Sequence, residues 1–177
     1  MIQTLTAVLF MMGTAAAPRF PNACQLLTER DIARVQGETL KSVKLTESNE
    51  SGLRVSQCFY VLPSFTNSIS VDVMRGKTAT FWRNHFANAR DDDNDRDRTA
   101  AIKTAPPSRE AEEERENSAR KVRGIGDAAV WSGNRAAGAL YVLKGDTILR
   151  ISVGGGGSQE QKIERSKKLA ARALRRV

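Results

Sequence analysis

The sequence predicts an α+β domain with an antiparallel sheet of about six strands, in the order α-βββ-α-βββ-α. Two observations carry this prediction. The first is a hairpin in the segment Gly124 to Val153. Gly145-Asp146 is a two-residue turn of the primed type, because Gly accepts positive φ and Asp tolerates it. The turn sets Leu143 opposite Ile148, Val142 opposite Leu149, Tyr141 opposite Arg150 and Leu140 opposite Ile151. Leu140, Val142, Leu149 and Ile151 then share one face, and a one-residue slip would expose them. The second observation is a repeat of element order without a repeat of residues: after the first helix, three strands and a helix precede residue 91, and three strands and a helix follow Gly126.

From the N-terminus, Leu5 to Met12 is a short apolar run followed by Gly13-Thr14-Ala15-Ala16-Ala17. It reads as a signal peptide over residues 1–17, with a single domain over 18–177. The run is too short to span a bilayer and lacks a basic residue in front of it. A buried N-terminal strand or helix is the alternative. Export would give Cys24 and Cys58 an oxidising compartment in which a bridge persists; two unrelated buried thiols are the other reading.

Thr28, Asp31 and Leu27 with Ile32 form a capping box and staple for a first helix that Gly37 stops. Three strands follow. Val43 and Leu45 alternate in the first. Leu53, Val55, Phe59 and Val61 share one face of the second, with Cys58 and Tyr60 on the other. Ile69, Val71 and Val73 alternate with Ser68, Ser70 and Asp72 in the third, which Gly76 ends. Phe81, Trp82, His85, Phe86 and Ala89 fall at helical spacing in a second helix from Thr78 to Arg90. Residues 91–120 form an acidic insertion with almost no large apolar side chain, predicted to be disordered. Strands at Ala128–Ser132, Gly138–Lys144 and Thr147–Val153 lead to a last helix near Ser158–Val177.

The chain has 177 residues, 40% of them hydrophobic and 27% charged, with a formal net charge of +8. Those proportions fit a globular domain with a polar insertion rather than a membrane protein. Two cysteines and one histidine do not make a structural zinc site.

Three pieces together resemble a family of small exported bacterial proteins, many of them actinobacterial lipoproteins, described as a domain of unknown function. They are Cys24-Gln25-Leu26-Leu27-Thr28, Cys58-Phe59-Tyr60, and Gly124-Ile125-Gly126-Asp127-Ala128-Ala129 with the hairpin behind it. The resemblance covers about residues 23 to 175. It implies export, a Cys24–Cys58 disulfide and a compact α+β sandwich, and it carries no catalytic residues. The chain is also similar to the PsbP-like sheet-and-helix fold. It departs from the lipoprotein pattern at Pro21-Asn22-Ala23, which lacks a lipid-attachment box before Cys24, so no lipid anchor is expected.

Several motifs suggest chemistry and fail on context. Gly124 to Ala129 fits a loose G-x-G-x-x-A pattern, but dinucleotide binding needs a strand before it and a helix after it. A tight turn is the better reading, with Asp127 bonding nearby backbone. Gly154 to Gly157 sits where phosphate loops sit, yet no Gly-Lys-Ser/Thr follows, and Ser158 with Gln161 makes a capping box instead. Asp91, Asp93 and Asp95 match the first ligands of an EF-hand, but Arg96 stands where Gly is required and Ile102 where Glu is. His85, the one histidine, falls among aromatics and reads as half-buried packing.

These readings lead to a non-enzymatic secreted or periplasmic domain that binds an envelope component or a protein partner, with no cofactor and no metal. A small envelope hydrolase and a cytosolic basic nucleic-acid binder are the rivals; nucleic acid is the less favoured partner. Two contact surfaces are predicted. One is a ligand face around Trp131 and Tyr141. The other is a polyanion-binding face on the last helix, formed by Lys162, Arg165, Lys168, Arg172, Arg175 and Arg176, for an anionic envelope polymer or lipid headgroups. Ile163, Ala170, Leu174 and Val177 are expected to dock the helix, with Lys167 and Leu169 fitting the division badly.

Overall fold

The computed structural model describes residues 20–91, 119–134 and 136–177. The signal peptide expected at 1–17 and most of the insertion expected at 91–120 lie outside the described residues.

The fold is α+β. After a 3-10 turn at Ala23–Gln25 come α1 (Glu29–Gln36), β1 (Ser42–Glu50), β2 (Leu53–Val61), β3 (Ile69–Gly76) and α2 (Thr78–Phe86). Then follow β4 (Arg120–Lys121), β5 (Ala128–Gly133), β6 (Gly138–Lys144), β7 (Thr147–Val153) and α3 (Gln159–Ala173). The seven strands form one sheet in the order β1-β2-β3-β7-β6-β5-β4, with every neighbouring pair antiparallel. Each half supplies a three-stranded meander, and the two meet along β3 and β7.

Local signals set most element ends. Thr28 and Asp31 form the capping box of α1, and Gly37 closes it at φ 76°. Ser158 and Gln161 do the same at the start of α3. The β6–β7 hairpin has the predicted register, with Gly145 at φ 56°. Asp146 does not take positive φ, so the turn is of the II′ kind. Ser51 and Gly52, at φ 53° and 82°, turn β1 into β2.

The main core lies on one face of the sheet. Cys58, Tyr60, Val71, Leu149, Ile151, Leu140, Val142 and Trp131 pack there under α1, α3 and the N-terminal turn. A disulfide joins Cys24 to Cys58 across a Cα separation of 5.0 Å. Ala23 N–H donates to Ser56 Oγ at 3.1 Å, and Tyr60 donates its hydroxyl to the Ala23 carbonyl at 2.7 Å. From the other end of the chain, Arg176 donates to the Leu26 carbonyl at 2.6 Å and to Asp31 at 3.2 Å. Both ends of the described core are thereby fastened at one corner.

Helix α2 covers only part of the second face. Phe86 and Ala89 pack on Val130, with Phe81, Trp82 and Tyr141 around them. His85 is exposed rather than half-buried. Its ring stacks on Phe81 at 4.0 Å, and Nδ1 donates to the Phe81 carbonyl at 2.8 Å. α2 ends at Phe86, a turn earlier than Arg90, because Arg90 leaves the helix to pair with β4: its N–H donates to Ala119 O at 2.9 Å, and Lys121 N–H donates to Arg90 O at 2.7 Å. β4 was not expected, since it is two basic residues at the edge of a polar segment. Among the described residues no helix is long and apolar enough to cross a membrane.

Candidate binding face

The part of the second face that α2 leaves open carries a row of polar side chains in lateral register. Gln57 on β2 stands beside Asp72 on β3, Arg150 on β7 and Tyr141 on β6. Neighbouring strands lie about 4.8 Å apart, so such a row places each head group within reach of the next. Gln57 Nε2 donates to Asp72 Oδ1 at 3.0 Å, and Ser70 Oγ donates to the same oxygen at 3.1 Å. Arg150 Nη1 donates to Asp72 Oδ2 at 2.9 Å, and its Nε to the Tyr141 hydroxyl at 3.1 Å. Asp72 is buried and Arg150 partly so. Burial alone would lower the Arg150 pKa, but the Asp72 carboxylate and the Tyr141 hydroxyl outweigh it and hold the guanidinium above its ordinary range. The row is a fixed, charge-compensated strip of donors and acceptors.

Beside the strip a groove of about 520 Å³ runs between Phe59, Phe65, Ser70, Gly138, Ser152 and the Gly154–Gly156 loop. Phe59 and Phe65 meet with ring centroids 5.8 Å apart, and Phe65 is 69% exposed. Two glycines keep its walls close. A Cβ at Gly154 would lie 2.0 Å from the Thr66 carbonyl, and one at Gly138 would lie 2.2 Å from the Trp131 ring.

The predicted sites separate on this frame. Tyr141 does lie on the second face, shared between the Arg150 strip and the α2 aromatics, with Phe86 at 4.9 Å. Trp131 does not share that face. Its strand neighbour Val130 is the residue opposite Tyr141, so Trp131 points to the other side, where it is fully buried and donates Nε1–H to Gly133 O at 3.2 Å.

The six basic residues of α3 and the turn that follows it do not form one solvent face. Lys162 is 6% exposed and lines the groove, while Leu169 and Ser166 are buried beside it. The docking stripe is therefore centred about a seventh of a turn from where the apolar residues alone placed it, and it includes Lys162. Arg165 bonds Gln36 at 3.2 Å and the Gly156 carbonyl at 2.6 Å. Arg176 is tied to Asp31, and Arg172 Nε lies 4.0 Å from the same carboxylate. Lys168 and Arg175 face solvent.

The glycine motifs are structural. Gly124 and Gly126 take φ 80° and 64° ahead of a strand, and Asp127 accepts from Gly145 N–H at 2.7 Å and Lys144 at 3.0 Å. Gly154 and Gly155 donate their N–H groups to Ser68 O and Thr66 O at 3.0 and 2.6 Å. With the Ser158 and Gln161 amides held by their own capping box, four of the N–H groups around that loop are spent internally. Asp91 pairs with Lys121 at 2.8 Å; Asp93 and Asp95 lie outside the described residues.

No protein-family model, curated protein or solved structure matches the chain.

Sequence reasoning passed over Gln57, Asp72, Arg150 and Phe65. Two signals are present: the hairpin register sets Arg150 opposite Tyr141, and Asp72 is the one charge in the alternation of the third strand. Only the β3–β7 pairing, which joins residues 78 apart, brings Asp72 to Arg150.

Proposed function

We propose that the chain is an exported, non-enzymatic binding domain that takes a hydroxyl-rich envelope polymer, a glycan strand, on the open half of its second sheet face. The observation that carries this reading is the pairing of an aromatic platform, half-buried Phe59 and exposed Phe65, with an adjacent strip of planar donors and acceptors. A sugar ring presents an apolar C–H face and a rim of hydroxyls, and that pairing offers a partner to each. Asp72 and Arg150 neutralise one another, which favours an uncharged polyol over a strongly charged ligand. Export is supported by the N-terminal apolar run with its small-residue tail and by the disulfide, a bond that persists in oxidising compartments. The resemblance to small exported proteins points the same way.

The test is titration of the disulfide-bonded protein with soluble envelope glycan fragments, followed by calorimetry or amide chemical shifts. Saturable binding with shifts at Phe59, Phe65, Ser70 and Ser152 is expected. Phe65→Ala should weaken it about tenfold, on the order of 1.4 kcal/mol for one stacking contact, without changing the melting temperature, because Phe65 is exposed. Shifts confined to other surfaces, or a Phe65→Ala protein that binds as well as the parent, would sink the reading.

A further inference from the structure

The two edges of the sheet are treated differently. One ends in β4, two residues long and both basic. The other ends in β1, nine residues long, paired to β2 without a bulge, and containing neither Pro nor Gly. Long flat edges are normally shortened, bulged or covered, because their free N–H and C=O groups template further pairing. Apart from Ser48, all of β1 is exposed. Among the described residues the exposed large hydrophobics are Val43, Leu45 and Phe65, so two of the three sit on this one strand. Val43 and Leu45 stand opposite Tyr60 and Cys58, so they extend the core-side row of the sheet past the last helix cover.

We propose that β1 pairs antiparallel with β1 of a second copy of this chain, about a two-fold axis through Lys44 perpendicular to the sheet. Such an axis keeps each copy's core side on the same side of the joined sheet, so odd-numbered residues meet odd-numbered residues. Centred on Lys44, the register sets Val43 opposite the partner copy's residue 45 and Lys41 opposite its residue 47. Each of these pairings occurs twice: leucine on valine, and ammonium on the Glu47 carboxylate. Moving the axis one residue toward Leu45 sets Val43 against a glutamate; moving it toward Val43 sets Leu45 against a lysine. Cross-strand apolar and opposite-charge pairs stabilise a ladder, and like charges disfavour it.

The one adverse pair is Lys44 against its own copy. It lies on the opposite side of the sheet from the valine–leucine row, and its flexible stem lets the two ammonium groups splay into water. Glu47 is available for the new pair, because its nearest cation, Arg54, lies 3.8 Å away in an exposed contact. The axis also sets the two open second faces side by side on one surface.

Sedimentation equilibrium and light scattering on the full, disulfide-bonded chain test this. A concentration-dependent dimer is expected. Glu47→Lys and Lys41→Glu should each reduce the dimer at least tenfold in dissociation constant, and the double variant should restore it. Lys44→Thr should tighten it. Since no described cysteine is free, Lys44→Cys supplies a lone thiol on the axis, which should cross-link two copies under mild oxidation. Ser48→Cys, four residues away on the same strand face, should cross-link far more slowly. Intact mass after alkylation checks that the Cys24–Cys58 bond is retained in both. A chain that stays monomeric, a charge swap that fails to restore pairing, or equal cross-linking at the two cysteines overturns the proposal.

Discussion

Asp31 and Tyr60 show how single side chains fasten the described ends and make the fold pH-sensitive in opposite directions. Burial of Asp31 tends to raise its pKa, but hydrogen bonds from Thr28 and the Arg176 guanidinium prevail and hold the carboxylate below its ordinary range. A carboxylate depressed in the folded state contributes stability that is present above its unfolded value, about 3.9, and is lost as pH falls through the lower folded value. Acid unfolding should therefore be less steep below pH 4 in Asp31→Asn, measured by urea titration across that range. Tyr60 behaves in the other sense. Burial pushes its hydroxyl up to about 12, against opposing effects from the Leu27 backbone and Arg176. Its contribution is complete below the unfolded value of about 10 and is lost between there and the folded value. A Tyr60→Phe variant should be less stable at neutral pH, losing about 1 kcal/mol with its hydrogen bond to Ala23, yet flatter in stability above pH 10. Asp72 and Arg150 test a third kind of dependence. Removing either partner of such a pair leaves the other uncompensated. Asp72→Leu alone should cost about 3 kcal/mol, the lower end for buried pairs because Arg150 keeps some solvent, and adding Arg150→Met should recover much of it.

At the scale of elements, what the sequence disclosed depended on how local the cause was. Gly145-Asp146, Thr28 with Asp31, and Ser158 with Gln161 act within a few residues, and each did what its chemistry predicts. β2 was harder. Leu53, Val55, Phe59 and Val61 are the more apolar set, yet Cys58 and Tyr60 on the other face are the ones fully buried, because α1 and α3 cover that side. Which face a helix covers is settled by packing between distant segments, and period-two alternation is blind to it. The same blindness split Trp131 from Tyr141: adjacent strands bring them close in space, but the register sets Trp131 opposite Leu140 and Tyr141 opposite Val130, so the two aim at opposite faces. On α3, Lys162 counted as a surface residue by type, whereas the groove at its side accepts it at a buried position. The disulfide belongs to this scale too, since it pins the N-terminal turn to β2 over a separation of 34 residues. Reduction should cost about 3–4 kcal/mol in the chain-entropy account, and alkylation with intact-mass analysis should reveal two thiols only after reduction.

On the scale of the whole molecule, two meanders meet at β3 and β7 and are fed by a long polar connection between α2 and β5. That connection holds eleven of the chain's twenty acidic residues and few of its large apolar ones. Its two ends are joined within the fold: Arg90 and Ala119 share a backbone hydrogen bond of 2.9 Å, and Asp91 pairs with Lys121 at 2.8 Å. Closing a short linker across ends already in contact costs little, since loop-closure entropy grows only slowly with length. Among the described residues, the main core contains none between Val73 and Val122. Excising residues 92–118 and bridging Asp91 to Ala119 with a short glycine-serine linker should therefore leave the melting temperature within a few degrees of the parent, because about 1 kcal/mol moves a domain of this size by only a few degrees. The excised chain should keep the Cys24–Cys58 bond and the hydrogen-exchange protection of β3 and β7, the strands where the halves meet. A loss of more than about 10 °C, or loss of protection in those two central strands, would show that the connection contributes packing that the fold requires. Because the excision removes more acidic than basic residues, it also raises the net positive charge. A change in glycan binding that disappears at high salt would then report that charge and not the open face, since exposed charges are screened over about 8 Å at physiological ionic strength.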